Sequence, residues 1–237
     1  MLVLVSDGKP KRKEAKNVKK INIYFGIIGA LLLGIGDWLL GFTDPTPIDG
    51  AAWNALTAGY TKDYDLLRPI IAMPLGFFGV LSYAPCMWEM GQIFKDEKTR
   101  KTQSIFMIAG MGGWALLHYL YSAVIFVFAW MCKNIGQSEA LNTANALYKA
   151  VLPGMSLWLV FMLMPFVIHF ADMARGKSRL PKKMLVFHTL VWWALIYFGT
   201  SALPKTAFTN GLNTFAMNGS MLVWLTAVLI YKAKNEK

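Results

Sequence analysis

Six stretches of this chain are apolar for long enough to matter to a membrane. They run over about 22–42, 68–94, 104–131, 153–173, 184–203 and 211–231. Each is close to or above the roughly 20 residues that a helix needs to cross the hydrocarbon core of a bilayer. The polar residues collect between them. The pattern predicts an all-α integral membrane bundle of six transmembrane helices, divided into a basic segment 1–20, a six-helix domain 21–232 and a tail 233–237. No A-x-A cleavage pattern follows the basic segment, so the first apolar run is expected to be a retained helix rather than a removed leader.

The breaks in the pattern predict two structured connections. Thr43 to Leu67 carries Asp44, Asp49, Asp63 and Asp65 together with Trp53, Tyr60 and Tyr64, and a connection this long is uncommon without structure or a role. It reads as a lid or a solvated connector, with a short surface helix over Gly50–Leu56. In Lys133 to Leu152, Ala140, Ala144, Leu147 and Val151 fall at helical spacing, which predicts an interfacial helix. Pro69, Pro74 and Pro85 in the second run and Pro165 in the fourth can kink a helix and free carbonyls for a cavity.

Charge then orients the bundle. With 24 Lys and Arg against 13 Asp and Glu, the net charge is +11, which in a soluble protein would point to nucleic acid. Here the basic residues alternate by loop. Nineteen of them lie in the first 20 residues, in Lys95–Thr102, in Arg175–Lys183 and in the tail from Lys232, and five (Lys62, Arg68, Lys133, Lys149, Lys205) lie on the other side. By the positive-inside rule both termini are expected in the cytoplasm, with the chain in the cell membrane and no nucleic-acid partner. At 56 % hydrophobic and 16 % charged residues, the composition agrees with a membrane protein.

Against this background one acid is out of place. Asp37 lies inside the first run, in Gly34-Ile35-Gly36-Asp37-Trp38, and a carboxylate within a span costs roughly 2.5 to 3.5 kcal/mol unless it faces protein or water. Gly26, Ala30, Gly34, Asp37 and Gly41 recur at steps of four or three, so they share a helix face. A stripe of small residues lets a neighbouring helix approach. Asp37 is therefore expected to point inward, either as a structural hydrogen-bonding acid or as a working group about 7 Å below the outer boundary at 1.5 Å per residue. Arg68, at the start of the second span, could pair with it.

Other polar groups follow at different depths. His118 falls near the middle of the third span, on one face with Trp114 and Tyr121, and is either a structural donor or a proton-handling group. Glu89 approaches the inner layer with His169, Asp172 and His188, and His169 or His188 is its expected partner. Asn210, Thr214, Asn218 and Met221 track one face of the sixth span. Asp37 and His118 are the candidate catalytic residues; Trp38, Arg68, Glu89, Trp114, Tyr121, Asn210 and Asn218 are the candidate ligand-binding residues. No cofactor and no metal motif is expected, and Cys86 and Cys132, on different spans, read as free thiols.

Gly36-Asp37-Trp38-Leu39-Leu40-Gly41, the aromatic and acidic outer loop, Leu75-Gly76, Leu81-Ser82-Tyr83 and the glycine-rich third span with its histidine resemble a bacterial family of small multi-pass membrane proteins with a G-D-x-L-L-G signature. The resemblance covers the first half of the chain. That family's function is unknown, so it implies a fold and no mechanism. Sterol isomerases of the emopamil-binding type also place His, Glu and Asp on a small helical bundle, but no motif of theirs is present, so that is analogy alone.

Three functions fit. In the leading one, a cavity open outward or laterally binds a hydrophobic or amphiphilic small molecule, on which Asp37 and His118 perform acid–base chemistry such as an isomerisation or a cyclisation. The second is a proton-coupled transporter with Asp37, His118 and Glu89 as stations. The third is a non-catalytic membrane receptor or assembly factor working through the outer loop. Expected partners are membrane lipids and the small molecule; the oligomeric state is left open.

Overall fold

The computed structural model describes residues 19–53 and 57–235. Most of the basic segment, part of the expected Gly50–Leu56 helix and the last two residues of the tail lie outside the described residues. The architecture is all-α: α1 (Lys20–Gly41), α2 (Leu67–Gly91), α3 (Glu97–Asn134), α4 (Gln137–Ala174), a 3-10 helix (Lys182–Phe187), α5 (Thr189–Ser201) and α6 (Ala207–Asn235). By length and composition, α1, α2, α3, α6 and the combined segment Lys182–Ser201 are five helices able to cross a membrane, and α4 carries a shorter apolar stretch, Val160–Ala174.

α1 is the hub. It packs against α2 on one side and α6 on the other, while α3 covers α2 and α4 covers α3. The small-residue stripe explains why. A Cβ at Gly29 would stand 2.6 Å from the Gly79 carbonyl of α2, Gly34 is met by the Phe215 ring of α6, and Gly41 is met by Thr214. Gly26, Ala30, Gly34 and Gly41 are all buried, as the four-and-three spacing requires.

The two ends of the bundle are closed differently. At the basic end, residues 92–96 and 176–180 run beside each other through an isolated Phe94–Ser178 bridge, with Lys95 N donating to Lys177 O and Arg179 N to Ile93 O. Lys19 and the last turn of α6 lie at this same end, since Lys19 N reaches Glu89 and Lys234 lies beside Met184. At the opposite end the long 42–66 connection folds down as a cap. Tyr60 and Tyr64 are buried against Leu40, Phe128 and Ala144, and Asn145 of α4 clamps the chain by accepting from Ala52 N and donating to Gly50 O.

The two connections expected to hold short helices differ over the described residues. Residues 50–53 form a turn, a bend and irregular chain rather than helix, with Trp53 against the rings of Tyr121 and Tyr148. The segment after Lys133 is the first half of α4 itself. Ala140 and Ala144 pack under the cap, while Leu147 of the same stripe is exposed. α3 and α4, at 38 residues each, are about 57 Å long and exceed a 30 Å hydrocarbon core.

Candidate functional site

The centre of the site is a backbone notch. Gly76 sits one turn beyond Ala72 on α2, and any Cβ there would collide with the His118 imidazole. The missing side chain lets the ring of α3 lie against the α2 backbone. There its Nε2 comes within 3.2 Å of Ala72 O, and its Nδ1 within 3.4 Å of Asp37 Oδ1 on α1. Gly36 of α1 adds room, since a Cβ there would stand 3.5 Å from the same ring.

α6 closes the carboxylate from the other side. Asn218 Nδ2 donates to Asp37 Oδ2 at 2.6 Å, and Asn218 Oδ1 accepts from the Tyr83 hydroxyl at 3.2 Å. That second bond fixes which way the amide points. Thr214 Oγ1 donates to the Asp37 carbonyl at 3.1 Å. The result is a polar chain running Tyr83, Asn218, Asp37, His118, Ala72 O across four helices. It lies where two hydrophobic clusters meet, one containing Leu33, Tyr83 and Trp224 and the other Leu40, Ala72 and Phe128.

The bonding fixes where protons sit. A carbonyl only accepts, so His118 Nε2 carries hydrogen, and the contact between Nδ1 and Oδ1 needs one further proton shared by the two groups. That proton rests on the ring as imidazolium beside carboxylate, or on Asp37 as a neutral acid beside neutral imidazole. In both arrangements the pair is neutral overall, which lowers the cost of holding it among helices. The partners differ in reach: the His118 side chain is 4 % accessible and that of Asp37 is 20 %.

Of the residues read as site candidates, Asp37, His118 and Asn218 come together. Trp114 touches the network indirectly by stacking on Tyr83 at 6.2 Å. Tyr121 approaches from the cap side, its ring edge-on to Trp53, and the Tyr60 hydroxyl of the cap donates to Leu40 O. The others are placed elsewhere. Arg68 does not pair with Asp37: its Nη1 donates to Phe42 O at 2.6 Å and its guanidinium lies over the Tyr64 ring, because the free carbonyls at the end of α1 are nearer than the acid below them. Trp38 packs on Phe42 and Phe208. Asn210 caps α1 through Gly41 O and Thr43 O.

Glu89 also departs from expectation. It accepts from Asn22 Nδ2 at 2.8 Å and from Lys19 N at 3.3 Å, so its partners come from the start of α1 and not from a histidine. It lies 13 residues beyond Gly76, roughly 20 Å along α2. The histidines bond to each other: His188 Nε2 and His169 Nδ1 are 3.1 Å apart, boxed by Phe94, Phe170 and Trp224. Since Leu190 N donates to His188 Nδ1, His188 Nε2 is the donor between the rings. That leaves the hydrogen of His169 on Nε2, where no group among the described residues accepts it.

Tyr83, Gly76 and Thr214 are the contributors that sequence reading missed as site residues. Tyr83 and Gly76 stand within two of the motifs that carried the family resemblance, which was a signal of a kind. Among the described residues no group of three or more His, Cys, Asp or Glu is placed to hold a metal ion. No curated protein and no solved structure matches the chain. One family does, over residues 13–235, and through that match the chain belongs to DUF6796, a family of unknown function.

Proposed function

We propose that the protein is a six-span membrane protein with both termini in the cytoplasm, whose Asp37–His118 pair exchanges its one shared proton with a hydrophobic or amphiphilic small molecule. The carboxylate is the member that meets the molecule. His118 is held by its Nε2 bond to Ala72 O and by the Gly76 notch, so it cannot turn outward, while Asp37 keeps an accessible edge. Accessibility of 20 % against 4 % is the observation that supports this reading. His118 then sets the protonation state of Asp37, as a general acid or base requires, and Asn218 holds the second oxygen in place. The Gly36–Gly41 segment, which carries the acid and closes on Asn210 and Thr214, is on this reading the signature of the family.

The transport reading needs Glu89 as an inner station. Its carboxylate is committed to Asn22 and Lys19 instead, which favours acid–base work at a single site. A receptor reading needs an outer loop free to be presented, whereas Thr43, Thr57, Ala58, Tyr60 and Tyr64 of this one are buried and Asn145 ties it to α4.

The experiment compares solvent-extracted, lipid-soluble metabolites, by mass spectrometry, from membranes holding wild type or Asp37→Asn at equal folded amounts. Wild type should alter at least one species that the variant leaves at the empty-membrane level. A folded variant giving the wild-type profile overturns the proposal.

A further inference from the structure

At the basic end of the bundle, a groove of about 630 Å³ runs between the 3-10 helix and the outer face of α6. Its origin is local. The segment after Pro181 turns as a 3-10 helix and becomes α-helical only at Thr189, and its Met184 and Phe187 line the groove on the side facing α6. Leu222, Thr226 and Ile230 form the opposite wall, and their spacing of four places them on one helical face. The volume is within the roughly 300–1,000 Å³ of small-molecule sites.

One end of this groove is cationic. Lys234 lines it, and Lys183 precedes the Met184 wall. Both lysines are exposed. The loop 175–183 holds Arg175, Lys177, Arg179, Lys182 and Lys183 and no acid. An apolar slot with a basic mouth at the cytoplasmic end of a helical bundle has the polarity of an anionic phospholipid, with acyl chain along the slot and phosphate at the mouth.

We infer that the groove between the 3-10 helix and α6 is a binding site for an anionic phospholipid, with an acyl chain against Met184, Phe187, Thr226 and Ile230 and the headgroup held by Lys183 and Lys234. The site is remote from Asp37 and stands independently of the acid–base proposal.

Native mass spectrometry of the full chain tests this, with dioleoylphosphatidylglycerol and dioleoylphosphatidylcholine offered separately. Their acyl chains are identical, so the difference isolates the headgroup. Near-surface lysines are worth about 1 kcal/mol each toward anionic lipid, so two give a preference of about tenfold or more for phosphatidylglycerol. Lys183→Gln with Lys234→Gln should equalise the two lipids, and Thr226→Trp should lower the occupancy of both by filling the slot. Thr226→Phe serves as the smaller filler where the Trp variant does not purify. Equal binding of both lipids to wild type overturns the inference, as does a preference surviving in the double Gln variant or full occupancy in the filled groove.

Discussion

Asp37 Oδ1 lies 3.4 Å from His118 Nδ1, while Nε2 of the same ring lies 3.2 Å from the Ala72 carbonyl. The ring is thereby held with its ε nitrogen protonated whatever the state of the acid. In ¹⁵N solid-state spectra of histidine-labelled protein in bilayers, Nε2 of His118 should appear protonated in both wild type and Asp37→Asn. Only Nδ1 should change between them. A bare Nε2 in wild type contradicts the geometry. Asp37→Ala, which removes the acceptor for Asn218 and the partner of the ring, should lower stability by about 1–3 kcal/mol.

Two glycines separate packing from helix propensity. Gly76→Ala drives a methyl group into the His118 ring and should cost about 1–3 kcal/mol, as overpacking does, while displacing the Nε2 signal of His118. Gly112 of α3 has open space where its Cβ would be, so Gly112→Ala should be neutral or stabilising by up to about 1 kcal/mol. Thermal melting of both variants in one detergent checks the pair. Equal effects would mean that the notch is not filled as described.

The His169–His188 contact is suited to a double-mutant cycle. Each single change to Phe leaves the other ring with a buried polar atom unpaired, at a cost of about 1–3 kcal/mol, with the helix cap of α5 lost in addition for His188. Replacing both removes the mutual term, so the double variant should be less destabilised than the sum of the singles by roughly 1 kcal/mol. Additive losses in chemical unfolding would show that the rings do not bond.

At the basic end, Asp96 caps α3 by accepting from Thr99 N at 2.7 Å, and this bond holds its carboxyl below the ordinary value of 3.8. A lowered folded value gives stability that is present above pH 3.8 and lost as pH falls through the folded value. Wild type should therefore melt above Asp96→Ala at pH 7. The gap should narrow below pH 3.8 and close at still lower pH, as measured by melting curves across that range. A gap that does not vary with pH contradicts the cap.

Much of this arrangement was legible in the residues, for reasons that differ by element. The 3–4 recurrence of Gly26, Ala30, Gly34 and Gly41 is a property of one helix, so it predicted the buried face of α1 and the inward aim of Asp37. The polar row Asn210, Thr214, Asn218 is likewise one face of α6, and all three meet α1 or its end. Arg68 and Glu89 were misplaced because their partners depend on how far one helix slides along another, which periodicity does not encode. Gly76 is the same case: it is recognisable as a notch only once α3 is known to lay His118 across from it. Five of the six apolar runs coincide with helices of spanning length, while the run 153–173 falls in α4, whose apolar stretch Val160–Ala174 is shorter, and the 3-10 turn before α5 escaped notice because its six residues are too few to show a period distinct from an α-helix.

The position of α1 between α2 and α6 has a consequence for how the molecule is made. Asp37 on α1 is completed by His118, 81 residues later on α3, and by Asn218, 181 residues later on α6. Any order of assembly in which α6 docks after the other described helices therefore leaves the Asn218 side of the carboxylate uncovered until it does, so the closing of the site reports the docking of α6.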